Sequence, residues 1–116
     1  MTKSRKSLRV PRTLSFVAQK GHCYYCRQPM WENDPSVFIA KHRISTRQAK
    51  LLRCTGEHLL AHKDGGTSEK NNIVAACYFC NTRRHMRRKD ILPDQYLKLA
   101  RSRLGSGRWH GLILSH

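Results

Sequence analysis

The stretch CYFCNTRRHMRRK, Cys77 to Lys89, opens on a Cys-x-x-Cys pair and closes on a basic run. Its cysteines match an earlier pair, Cys23 and Cys26, across a gap of 50 residues. Two-residue spacing lets each pair chelate one tetrahedral ion, and four thiolates suit zinc in a closed structural site. The competing readings are two disulfides or buried free thiols. The N-terminus is a basic, Ser-rich stretch with no hydrophobic segment, and the longest apolar runs are only a few residues. Neither a membrane span nor a secretory signal is therefore expected. A cytoplasmic, bacterial or phage-encoded protein is the expectation, and in a reducing compartment paired cysteines are metal ligands before they are disulfides. Cys54 is left over and reads as a small buried residue.

At 116 residues and 13.5 kDa the chain fits one domain with a modest core, so a metal staple has work to do. Lys and Arg number 23 against 7 Asp and Glu, for a net charge of +16. Zinc held by four thiolates lowers that only to about +14. Met1 to Trp31 carries seven basic residues and no acid. Such a surface seeks polyanions, nucleic acid first, and no basic amphipathic helix with a long apolar face argues for a membrane.

Residues 1–10 read as a disordered basic tail, 11–104 as a single domain with its core motif at 21–89, and 105–116 as a C-terminal tail. Pro11 opens a helical segment with Leu14, Val17 and Ala18 at helical spacing, closed by Gly21. Val37 to Ile39 suggests a short strand, and Ser45 starts a helix through Ala49, Leu51 and Leu52. Leu59 to Val74 suggests a hairpin turning at Asp64, Gly65 and Gly66. Cys77 to about Lys89 has helical composition with no breaker. Pro93 begins a last helix with Tyr96, Leu97, Ala100 and Leu104 as its docking stripe.

Asn81 directly follows the last paired cysteine and His85 lies four residues on, so a helix presents both on one face. Glu57 and His58 are adjacent on an extended segment and point to opposite sides. One can then hold a metal while the other meets a substrate. A divalent ion held by Glu57, Asn81 and His85 would keep open positions for a phosphate oxygen and water, as a catalytic metal must.

These residues resemble the HNH endonuclease family, through Glu57-His58, Gly65-Gly66, Asn72-Ile73-Val74, Cys77-Tyr78-Phe79-Cys80-Asn81 and Arg84-His85. The resemblance spans Gly21 to His85. It implies a small α+β fold, a ββα-metal finger of treble-clef type with structural zinc and flanking helices. It further implies His58 as general base, Asn72 as the brace of the hairpin, Glu57 and Asn81 as ligands of a divalent cation, and His85 as a further ligand. Glu57 stands where most members have Asp, and Asn81 replaces the last signature histidine, an HNN variant. Both keep an oxygen donor, which points to Mg²⁺ or Mn²⁺.

The implied activity is phosphodiester hydrolysis, nicking or cutting duplex DNA. Imidazole, with an ordinary pKa of about 6.5, can accept a proton from water near neutrality. Arg83, Arg84, Arg87, Arg88 and Lys89 place five positive charges within seven residues, expected on the metal-bearing helix against the phosphates flanking the cut. His62 is balanced between solvent and a phosphate contact. His22, His42, His110 and His116 read as surface residues, and Trp31 and Trp109 as packing groups. The rival class is a non-catalytic zinc-ribbon nucleic-acid-binding module in which Glu57 and Asn81 are incidental. A component of a larger phage packaging or restriction system, with protein partners that supply specificity, is a third reading.

Overall fold

The structure is a computed structural model, and it describes residues 7–60, 66 and 71–114. The elements run α1 (Arg9–Ala18), α2 (Ser36–His42), α3 (Thr46–Leu51), β1 (Cys54–His58), β2 (Ile73–Cys77), α4 (Tyr78–His85) and α5 (Pro93–Gly105). β1 and β2 form an antiparallel pair with Cys54 opposite Cys77 and His58 opposite Ile73. This is the small α+β arrangement expected: a hairpin feeding directly into a helix, flanked by helices. No helix among the described residues is long and apolar enough to cross a membrane.

A two-stranded sheet exposes edges that need hydrogen-bond partners. Here α1 supplies them from side chains. Gln19 donates to the Ala75 carbonyl at 2.8 Å and accepts from the Ala75 amide at 2.9 Å, completing β2 as a neighbouring strand would. Ser15 Oγ donates to the Ile73 carbonyl at 2.7 Å. The start of α1 also lies close to β1, where a Cβ on Gly56 would come within 3.0 Å of Leu8 Cβ. Glycine is required there by close approach.

The four paired cysteines meet at the junction of β2 and α4. Their sulfurs all lie within 4.8 Å of one another and all four residues are buried. A tetrahedral Zn–S bond of about 2.3 Å places sulfurs about 3.8 Å apart, and Cys26 Sγ to Cys77 Sγ is 3.9 Å. The cluster therefore fits zinc. Burial pushes the thiols of Cys77 and Cys80 up, whereas hydrogen bonds from Cys23 and then Cys77 hold Cys26 down. Cys77 is also the N-cap of α4, its sulfur accepting from the Cys80 amide at 3.4 Å. The Cys77 amide in turn donates to Cys23 Sγ at 3.3 Å. Cys54 is buried outside the cluster, and its burial pushes the thiol up to about 12, so it stays protonated.

Three sequence expectations change along the chain. Val37 to Ile39 lies in α2, because Asp34 Oδ1 accepts from the Ser36 amide and hydroxyl and so starts a turn, while the covered sheet edge offers no strand partner. The helix after Cys77 stops at His85, with Met86 as C-cap, so Arg87, Arg88 and Lys89 lie beyond it. Like charges four apart, Arg83 with Arg87 and Arg84 with Arg88, weaken any continuation. The chain also turns back to bring the Ile91 carbonyl within 3.1 Å of Arg84. Residues 9 and 10 of the expected disordered tail are the start of α1.

The C-terminal segment packs on the cysteine cluster. Trp109 Nε1 donates to Cys80 Sγ at 3.2 Å, Leu112 is buried, and the Leu114 amide donates to Gln28 at 2.7 Å. His110, expected at the surface, is half-buried with Nε2 3.5 Å from Cys26 Sγ. His42 likewise is half-buried, its ring centre 4.5 Å from that of Phe38 with the planes tilted by 57°. Other expectations hold. Ser45 caps α3 through a capping box with Gln48, Pro93 opens α5, and Tyr96 and Ala100 are its buried positions. The expected hairpin turn lies mostly outside the described residues.

Replacing Gln19 with Ala strands the buried Ala75 amide. Urea unfolding should show a loss of about 1–3 kcal/mol, the cost of an unsatisfied buried donor. Cys77→Ser removes a zinc ligand and the N-cap of α4 together. Zinc binding contributes roughly 10–16 kcal/mol in small metal-stapled domains, about as much as a whole domain's stability. The variant should therefore purify without zinc and melt without a cooperative transition by circular dichroism; a native-like melt would contradict the structural role.

Candidate functional site

Glu57, next to last in β1, is 1% exposed, so its carboxylate is withdrawn from water and needs compensating partners. Three side chains supply them. Glu57 Oε1 is 2.8 Å from His85 Nε2, and Oε2 accepts from Arg84 Nη1 and from the Tyr25 hydroxyl, each at 3.2 Å. Burial pushes the Tyr25 phenol well above its ordinary value and the Glu57 charge adds to this, so Tyr25 remains a proton donor.

Arg84 lies inside the molecule. Besides Glu57, its guanidinium donates to the Tyr25 hydroxyl at 3.0 Å, the His58 carbonyl at 3.2 Å and the Ile91 carbonyl at 3.1 Å. Its expected place against DNA phosphate is corrected accordingly: facing a buried carboxylate, it is drawn inward to neutralise that charge. Arg83, Arg87, Arg88 and Lys89 are exposed. His62 lies outside the described residues.

His85 ends α4, and its side chain is 55% exposed although its Nε2 reaches the buried Glu57. His58 follows Glu57 and, with His85, lines a cleft of about 340 Å³ that Arg87 and Asp90 also border. Acid, imidazoles and cleft thus meet where β1 ends beside the end of α4. Asn72 holds that strand end. Its side-chain amide donates to the Leu60 carbonyl at 3.0 Å and its Oδ1 accepts from the Leu60 amide at 2.8 Å, while its own carbonyl accepts from the Leu59 amide at 2.9 Å. Three bonds across the hairpin keep the chain just after His58 in place.

Asn81 sits one helical turn before His85. Its amide nitrogen donates to Thr55 Oγ1 at 3.0 Å and to the Gly56 carbonyl at 3.3 Å, tying α4 to β1 beside Glu57. The structure therefore brings Glu57 and His85 into direct contact and ties Asn81, on α4, to Thr55 and Gly56 of the adjoining strand. Two donor atoms in neighbouring positions of a six-coordinate divalent ion, each about 2.1 Å from it, lie about 3 Å apart. The 2.8 Å separation of Glu57 Oε1 and His85 Nε2 fits one shared cation.

Sequence reasoning missed Tyr25, Arg84 as a clamp, and Asp90 at the cleft edge. Tyr25 is separated from Glu57 by 32 positions and sits between Cys23 and Cys26, so only the closure of the cysteine cluster brings the two together.

A search of curated proteins gives no match to this chain. The family model for HNH endonucleases matches residues 23–87, more than half of the 116 residues, and that interval contains both cysteine pairs, the hairpin and α4. With that match over the site just described, the chain belongs to the HNH endonuclease family, whose membership implies nuclease activity with DNA as the substrate class.

Proposed function

We propose that the protein is a metal-dependent endonuclease that hydrolyses phosphodiester bonds of duplex DNA, nicking or cutting it, with His58 as general base. One divalent cation is assigned to Glu57, Asn81 and His85. The observation that carries this reading is a buried carboxylate and a solvent-facing imidazole, 2.8 Å apart, beside a cleft that a second imidazole, His58, also lines. When bound, the cation supplies positive charge for the phosphoryl oxygens and for the departing 3′-oxygen.

The rest is done by the chain. Arg84 and Tyr25 occupy Glu57 Oε2, which leaves Oε1 as the ligand atom on the His85 side. The Asn81 amide nitrogen is engaged by β1, and no described residue donates to its Oδ1, the atom assigned to the cation. Two oxygens and one imidazole favour Mn²⁺ over Mg²⁺, since imidazole is the softer donor. His58 accepts the proton of the attacking water from the cleft, its backbone held by Arg84 through the carbonyl and by Asn72 through the hairpin. Arg83, Arg87, Arg88 and Lys89 attract and position the phosphates without reading sequence.

The rival, a non-catalytic zinc-ribbon binder, gains nothing from withdrawing an acid into a phosphate-binding face. A carboxylate there repels the ligand and costs desolvation. Plasmid nicking with Mg²⁺, Mn²⁺, Ni²⁺ or Zn²⁺ added singly separates the two. His58→Ala should slow nicking about a hundredfold to ten-thousandfold while DNA affinity changes little. Undiminished nicking by that variant would remove His58 from the mechanism.

Tyr25→Phe deletes one donor to Glu57 without emptying the core. Partners that orient a ligand typically contribute about 10–100-fold in metal affinity. The metal concentration for half-maximal nicking should rise by that factor, with the rate recovering at saturating metal. A lowered plateau with an unchanged midpoint would place Tyr25 elsewhere in the mechanism.

A further inference from the structure

A second cleft, of about 310 Å³, lies between α4, α5 and the C-terminal segment. Four arginines line it, Arg83, Arg87, Arg103 and Arg108, together with the rings of Phe79 and Trp109, and no carboxylate is among the described residues that line it. The Arg83 guanidinium lies 4.8 Å from the Phe79 ring centre and that of Arg103 lies 6.0 Å from the Trp109 ring centre. Cation–π contact at such distances holds each guanidinium over its ring.

The cleft is built by the fold. Gly107 takes φ +75°, which lets the chain reverse after α5 and bring the Arg108 amide within 2.8 Å of the Arg103 carbonyl. The floor is anchored as well. Trp109 donates to Cys80 Sγ at 3.2 Å, and its ring meets Phe79 edge to face at 5.0 Å. Arg87 lines both this cleft and the one that contains His58 and His85, so the two adjoin at that side chain.

We propose that this second cleft binds a single-stranded stretch of nucleic acid continuous with the strand in the catalytic cleft. Arginines contact its phosphates and an unstacked base lies against a guanidinium plane above the aromatic floor. A duplex keeps its bases stacked inside and presents phosphates on a convex surface, so it cannot reach a recessed aromatic floor. A single strand can, and interleaved arginine and aromatic side chains are the chemistry that recognises one. The preferred substrates are then duplexes with a flap, gap or frayed end beside the cut. This rests on the nuclease reading for its direction but not for its binding test.

Fluorescence anisotropy with a labelled oligonucleotide, as single strand and as blunt duplex over a range of salt, tests it on the zinc-loaded full chain. Each single-strand phosphate contact contributes about 0.7 to the slope of log affinity against log salt. Arg103→Ala/Arg108→Ala, both exposed positions, should lower the single-strand slope by about 1.4, with a smaller change on blunt duplex. Arg103→Lys/Arg108→Lys should keep the slope yet weaken single-strand binding, since lysine retains charge but offers no plane to a base. Equal losses on both ligands, or none, would overturn the proposal. So would tighter binding of a polyglutamate peptide than of the single strand at the same salt, which would make the cleft a dock for an acidic protein segment. Absence of cleavage on every substrate, with these binding changes intact, would sink the nuclease reading and leave the single-strand cleft standing.

Discussion

The thiolate cluster fixes where one helix starts. Cys77 ends β2, caps α4 through its sulfur and joins Cys80 in a group that also holds the knuckle carrying Cys23 and Cys26. α4 has only eight residues and a single buried one, Cys80, so packing alone gives it little to hold. A short helix is marginal in water without such an anchor. With its first turn secured, α4 places Asn81, Arg84 and His85 along the end of β1. The same closure delivers Tyr25 to Glu57 and Trp109 to the floor of the arginine cleft.

Charge explains the second layer of organisation. The chain has 23 Lys and Arg and only 7 acids, and one of those acids is almost wholly buried. Burying a carboxylate is costly unless it is matched, and here the matching groups are an internal arginine, a phenol that stays protonated and an imidazole at the surface. That asymmetry gives the carboxylate two different sides. One oxygen accepts from Arg84 and Tyr25, while the other meets His85, which lines the cleft. The basic residues that follow divide likewise, Arg84 serving the interior and Arg83 and Arg87 the surface.

Cysteine cluster, hairpin and arginine cleft share a mechanical basis. α1 completes the sheet with Gln19 and Ser15, Asn72 clamps the open end of the hairpin, and α5 returns to cover the cysteines with Tyr96, whose hydroxyl donates to the Cys80 carbonyl at 2.6 Å. The first two compensate for a sheet too small to satisfy its own backbone, and the third ties α5 to α4. The half-buried His58 and exposed His85 on one side, and the exposed Arg103 and Arg108 on the other, are where a ligand can be met.

The cysteine spacing alone determined the staple, because a tetrahedral ion with two Cys-x-x-Cys pairs leaves few geometries. Local chemistry likewise made the Ser45 cap, the Pro93 start and the hairpin readable. The family pattern pointed to Glu57, His58, Asn72, Asn81 and His85, and the fold brings Glu57 and His85 together. Val37 to Ile39 was misread because three apolar residues carry no period, and whether they pair or coil depends on a sheet edge that Gln19 already occupies. Arg84 was misread because a basic run looks uniform in one dimension; the buried acid that claims one member of it lies 27 positions away. Tyr25, Trp109, His110 and the arginine cleft belong to tertiary structure for the same reason. Each is defined by a partner distant in the chain, and only the closed metal cluster brings such partners within bonding distance.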